Sequence, residues 1–261
     1  MRSSHFFNST FFSFLIACVF VIPSQTTHAQ FNGVIDMHFY STNDKEVKDT
    51  SLVQMYVTNE RILIKGAEDE RLTSGSYEAS GLLIRQDQKD FVLMMGNNQA
   101  LQLTKSEIEG FFSMISTVFG IEQPSPSEME ENKTNIEVTG RVATINGYTS
   151  KEIRITEADE DGFMSVWTTS KLNMNWGLLA EPWLNSPEWL RDATDRITLE
   201  FQTNSIPVLI TWTTTGGETT TIYELVRAEK SAIAKAMVEL PSNYQLLGFS
   251  DWIMLQMMQQ Y

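Results

Sequence analysis

Alternation with a period of two, repeated in about a dozen short segments, is the feature that most narrows what this chain can become. Phe31 to Tyr40 shows it best. Phe31, Gly33, Ile35, Met37 and Phe39 share one phase, and Asn32, Val34, Asp36, His38 and Tyr40 share the other. Successive side chains of a strand point to opposite faces, so this spacing predicts a strand with one buried face. Leu52 to Thr58 and Arg61 to Lys65 flank Asn59-Glu60, and Gly81 to Gln86 and Phe91 to Met95 flank a polar tetrapeptide; both read as hairpins. Ala100 to Leu103 adds a short strand.

The period then changes. Thr104 with Glu107 three residues on matches a capping box, and Ile108, Phe111, Phe112, Ile115 and Phe119 follow at helical spacing up to Gly120. Residues 123–133, with two Pro and several Glu, read as a mobile acidic loop inside one domain. Strand patterning resumes at Ile136 to Ile145, where Asn146-Gly147 is a strong hairpin signal. Lys151 to Thr156 and Phe163 to Thr169 pair across an acidic turn. Ile197 to Thr203, Ile206 to Thr213 and Thr219 to Arg227 form a meander, in which Pro207 marks an edge or a bulge. A short helix fits Pro187 to Arg196, and Ser250 is placed to cap a last helix from Asp251 to Gln260.

The fold class that follows is α+β: a curved antiparallel sheet, an incomplete barrel of 11–12 strands, with inserted helices covering the concave face. Residues 30–261 form a single domain on this reading.

Residues 1–29 have another purpose. Arg2 precedes a 12-residue apolar run from Phe11 to Ile22, Pro23 ends it, and small residues surround Ala29. This is the pattern of a secretory signal peptide cut after Ala29, too short to span a bilayer as a mature helix. Leu15-Ile16-Ala17-Cys18 offers a rival reading, a lipobox that would anchor the chain by a lipid on Cys18. Cleavage after Ala29 removes Arg2, leaving 18 basic against 33 acidic residues, a charge of −15. Such a surface lacks the clustered cations that nucleic acid requires. The expected setting is the periplasm or the exterior, with no transmembrane helix in the mature chain.

The mature inventory closes several chemistries. Cys18 is the only Cys of the chain and falls in the leader, and His38 is the only His beyond it. Cys/His zinc sites and Cys nucleophiles need residues that are missing. No phosphate-binding Gly loop, nucleophile elbow or His-Glu-x-x-His stretch is present. No cofactor and no metal are expected. Glu157, Asp159, Asp161 and Gly162 imitate the start of a calcium loop, but the twelfth position is Thr168, and an acidic hairpin tip explains them. Carboxylate-only catalysis stays open, since two converging acids need no other residue type.

Aromatic and sulfur-bearing side chains are the remaining candidates. Trp167, Trp176, Trp183 and Trp189 fall within 23 residues, and the C-terminal segment carries Trp252, Met254, Met257 and Met258. Such side chains line apolar cavities and also fill cores. Trp167, Trp176, Trp183, Phe112, Trp252 and Met254 are the residues expected to line a cavity between sheet and helices.

Several phrases carry a family resemblance. Phe31-x-Gly33 opens the first strand, Thr139-Gly140 precedes Ile145-Asn146-Gly147-Tyr148, and Val166-Trp167-Thr168-Thr169 follows. Glu239-Leu240-Pro241-Ser242-Asn243-Tyr244 stands near the end. Their order resembles an uncharacterised domain family of exported Gram-negative bacterial proteins, which in turn resembles the LolA-type periplasmic lipoprotein carriers. The chain has Ser150 where many members carry Cys. The resemblance implies an incomplete barrel holding acyl chains under helices. The expected function is therefore non-enzymatic binding of a lipid, a lipoprotein acyl chain or an apolar peptide. The alternative is a structural or protein-interaction module of the cell envelope with a filled core.

Overall fold

Backbone pairing builds one sheet out of nearly every strand-patterned segment. The computed structural model describes residues 30–42, 48–67, 72–74, 77–108, 110, 135–156, 161–180 and 204–259. Its strands are β1 Gly33–Thr42, β2 Lys48–Val57, β3 Arg61–Gly66, β4 Leu72–Ser74, β5 Tyr77–Arg85, β6 Asp90–Met95 and β7 Gln99–Thr104. They continue with β8 Asn135–Ile145, β9 Tyr148–Thr156, β10 Gly162–Thr169, β11 Ile206–Thr214, β12 Thr219–Lys230 and β13 Gln245–Leu247. A terminal helix, α1, spans Phe249–Gln259. The order across the 13-stranded sheet is β13-β7-β6-β5-β3-β2-β1-β12-β11-β10-β9-β8, with β4 beside β5. Strands on both sides of the acidic stretch 123–133 thus belong to one open sheet.

The fold class is an open antiparallel sheet with short helices. Among the described strands, the pairing of β13 with β7 is the parallel one. Helices expected over residues 108–120 and 187–196, and the strand expected over Ile197 to Thr203, lie outside the described residues, as do the leader and the acidic loop. The start of the first helix is described. Thr104 N–H donates to Glu107 Oε2 at 2.7 Å and Glu107 N–H donates back to Thr104 Oγ1 at 3.2 Å, the reciprocal capping box. One detail differs from expectation, and one alternative is decided. Ser250 lies within α1, which begins at Phe249 because Trp252 N–H bonds Gly248 O. Pro207 sits on an internal strand, and the irregularity it marks is a register shift opposite Trp167/Thr168.

Directly paired residues share a sheet face, so the registers sort every side chain to one side or the other. One face carries apolar rows across the sheet. A row runs Leu101, Leu93, Leu82, Ile64, Met55, Ile35 and Ala228 across β7, β6, β5, β3, β2, β1 and β12. A second row runs Phe39, Tyr223, Ile210, Val166, Ile153 and Val138 across β1, β12, β11, β10, β9 and β8. A third joins Trp212, Met164, Ile155 and Ile136. The main core is built mostly on this face and includes Phe31, Leu172, Met174, Trp176 and Leu178.

The opposite face is mixed. Its β1–β7 half carries Tyr56, Leu63, Leu83, Val92, Met94 and Ala100, a second buried cluster. After β12 the chain turns back over this half as a strap. Ser231 N–H bonds Asn32 O beside β1, and a 3-10 turn at Lys235–Val238 lies on β2 and β3. Val238, Ile233, Leu240 and Tyr244 pack on the second cluster before β13 joins β7.

The first pairing of β1 with β12 is tight. A Cβ on Gly33 would fall 2.0 Å from the backbone oxygen of Glu229, and Gly33 has φ +154°. Gly33→Ala therefore forces both a clash and a backbone angle that L-residues avoid. We expect it to cost about 2–4 kcal/mol in urea unfolding; a loss under ~0.5 kcal/mol would contradict this close approach.

Candidate functional site

Burial of charge is confined to the mixed face. Asp36, Arg61, Arg85, Asp90 and Glu152 are the buried charged residues among those described, and the registers put all five there. Each is paired. Arg85 donates two hydrogen bonds of 2.6 and 2.7 Å to Asp90, and Gln102 donates a third. Arg61 grips Asp87 through Nε and Nη2 and donates to Val238 O on the strap. Asp36 receives Arg227 at 2.7 Å and Gln54 at 3.0 Å. Burying a charge is costly without a partner, so the apolar face holds no buried charge among the described residues while the mixed face pairs each one.

Glu152 is the most enclosed acid outside the Arg85–Asp90 pair. Burial pushes its carboxyl up, but hydrogen bonds from Thr139 (2.7 Å) and Ser165 (2.9 Å), with the charges of Arg141 and Arg154, outweigh this and hold it below its ordinary value. Asp87 is likewise held down, first by its hydrogen bond from Arg61.

An open groove of about 530 Å³ lies between the Thr58–Arg61 turn and the strap, with Asn32, Asn59, Ile233 and Val238 in its walls. Its cations are engaged: Arg61 with Asp87, and Lys235 with Glu239 at 3.5 Å. Nothing in the sequence pointed to this groove, because its walls come from segments about 170 residues apart.

Of the residues expected to line a cavity, the four that are described stand in two places. Trp167 is 7% exposed on the mixed face of β10, opposite Glu152 and Leu209, with the Arg141 guanidinium 5.2 Å above its ring. Trp176 is 3% exposed, and its Nε1 donates to Ser205 O at 2.9 Å. Both belong to the main core cluster. Trp252 is half-buried on α1, stacked on Phe249, and Met254 of the same helix is 56% exposed. That helix packs on β7, at the sheet edge far from β10. Phe112 and Trp183 lie outside the described residues. The calcium-like stretch is described only from Asp161, whose Oδ1 accepts Thr215 Oγ1.

Around Trp167 the sheet folds back on itself. The β8–β9 hairpin turns at Asn146-Gly147, both with positive φ. Asn146 Nδ2 donates to Glu224 Oε1 at 3.0 Å and to Leu225 O at 2.8 Å. Since β10 and β11 lie between β9 and β12, this reach takes the hairpin tip over the mixed face of both. Ala143, Ile145 and Tyr148 pack inward on the core, and Ser150 is fully buried; Val142, Thr144, Thr149 and Lys151 face out. Glu224 also accepts Tyr40 O–H, whose oxygen lies 3.4 Å from His38 Nδ1. His38 thus belongs to this latch.

The phrases of the resemblance mark these closures. Phe31 is buried and Gly33 admits β12; Asn146-Gly147-Tyr148 is the folded-over tip; Leu240 to Tyr244 is the strap, where Tyr244 O–H meets Ser80 Oγ at 3.0 Å. The chain belongs to the DUF4412 family, a domain of unknown function, whose profile matches residues 31–244. No curated protein matches it in sequence. Solved structures with partial likeness include an uncharacterised conserved protein of Thermus thermophilus (8% identity, 82% of this chain and 88% of that one, TM-score 0.40). MucB, in complex with MucA(peri), is 9% identical over 83% of this chain with a TM-score of 0.39, and this chain spans only 57% of it. A LolA superfamily protein of Nitrosomonas europaea is 10% identical over 79% of this chain and 72% of that one, with a TM-score of 0.23.

The pairing of Glu152 has a consequence in acid. Its carboxyl is lowered in the fold from an ordinary value of 4.5, so its contribution is fully present above about pH 4.5 and is lost as pH falls through the folded value. Glu152→Gln is expected to lower stability at pH 7 and to flatten the fall in melting temperature below pH 4.5. An unchanged acid limb would contradict the assignment.

Proposed function

We propose that this protein is an exported, non-enzymatic binder of an apolar ligand, an acyl chain or an apolar peptide, held against the apolar face of the sheet. One observation carries the reading. The apolar rows cross β5 to β12 without a buried charge, while every buried charge among the described residues stands paired on the other face. A packed core also needs a face without buried charge; one kept so over such a width suits a ligand that offers no hydrogen bonds. Each buried methylene contributes about 0.8 kcal/mol, so half of a long acyl chain gives micromolar affinity before ordering costs. The leader-like residues 1–29 support export, and no helix among the described residues is long and apolar enough to cross a membrane.

The expected occupant is a single chain rather than a cofactor. Native mass spectrometry of protein purified from an exporting host should show an adduct of lipid mass that organic extraction removes, and the stripped protein should bind a fluorescent fatty acid at micromolar concentration. A protein that is empty as isolated and ignores the probe would instead support the envelope interaction module with a filled core.

A further inference from the structure

The folded-over hairpin has the three parts of a flap: a hinge, a latch and something worth covering. The hinge is the register break between Val138 and Val142. In β9 only Glu152 separates the residues paired with Val138 and Val142, whereas β8 inserts Thr139, Gly140 and Arg141 between them. Gly140 has φ +71° and open space around it, so the strand bends there without crowding a neighbour. The latch at the tip is the Asn146 amide; nearer the hinge Thr169 Oγ1 donates to Thr149 O at 3.0 Å. Asn146 holds Glu224 Oε1 and Leu225 O, and the registers show no strand pairing between the β8–β9 tip and β12. Beneath the tip, on the face it crosses, are Trp167 and the half-buried Leu209, which the registers place side by side. Trp167 belongs to the main core, and Leu209, Ile145 and Tyr148 pack against it.

We propose that the β8–β9 hairpin beyond Arg141 opens as a flap, released when Asn146 leaves Glu224 and Leu225, and that an apolar chain enters the core cluster beside Trp167 and Leu209. The inference rests on the proposed binding function for its purpose, but the opening itself does not. β8 is the edge strand, and most of its residues from Asn135 to Ile145 are exposed or half-buried. Elements with few buried contacts and solvent-exposed hydrogen bonds are the ones that open at low free energy. The Arg141–Glu152 pair stays with the hinge: Glu152 is 1% exposed and fixed by Thr139 and Ser165, so the strand before the bend remains pinned while the tip moves.

The test uses Asn146→Gly, which removes the latch and keeps the positive φ of the turn, and the pair Asn146→Cys with Glu224→Cys bridged by a short bis-maleimide in a Cys18→Ser background. Two readouts are needed. Hydrogen exchange of residues 142–150 should rise about tenfold in Asn146→Gly, the size expected for losing a net hydrogen bond, with β1–β3 unchanged, and should fall below wild type in the bridged form. Uptake of a fluorescent fatty acid should be faster in Asn146→Gly and at least about tenfold slower in the bridged form, since a closed flap leaves only rare wider openings. Unchanged exchange in Asn146→Gly overturns the flap. Wild-type uptake in the bridged form overturns its role as the way in, whatever the exchange shows. A wild-type protein that takes up no fatty acid defeats the binding function instead, and the flap then stands or falls on exchange alone.

Discussion

The cost of burying charge organises this molecule. A carboxylate or guanidinium taken from water must find a partner, and such partners are polar side chains that occupy space on the same face. By placing Asp36, Arg61, Arg85, Asp90 and Glu152 in a single phase of their strands, the sequence collects every buried charge of the described sheet on one side. The other side is left to Ile, Leu, Val, Met and aromatic residues. The strap at 231–244 and the β8–β9 tip both close over the mixed side, and each brings a polar contact there: Val238 O for Arg61, and Asn146 Nδ2 for Glu224.

This division explains how so wide an open sheet is kept from pairing with others. At one end β13 and α1 cover β7. At the other end β8 is bulged at Thr139–Arg141 and bent over, which spoils a straight edge. Each device uses chain that also covers apolar surface, so edge protection and core closure are one structural event. The groove beside the strap, polar and already internally paired, follows from the same closure.

Much of the strand pattern was legible because alternation is local. The phase assigned to Phe31 to Tyr40 matches the faces on which Ile35, Met37, Val34 and Asp36 are found, and the Thr104/Glu107 box needed only four residues. The order of strands was not legible. Nothing near β1 says that it lies between β2 and β12, since that neighbour comes almost 190 residues later. β13 was missed because three residues show no period, and its parallel pairing depends on Asn98, which accepts the Gln245 N–H. The candidate residues divide in the same way. Burial of Trp167 and Trp176 follows from their size, whereas the distance between them and α1 follows from topology alone. Asn146-Gly147 was readable as a turn, but its grip on Glu224, 78 residues away, was not.

If an apolar ligand is held as proposed, it rests on the apolar rows of the sheet and not beneath the strap. Methyl NMR of Ile- and Leu-labelled protein titrated with a fatty acid tests this residue by residue. Shifts are expected for Ile35, Ile64, Ile153 and Ile210, with Leu63 and Leu83 unmoved beneath the strap. Shifts confined to Leu63 and Leu83, or absent at saturating fatty acid, would contradict it.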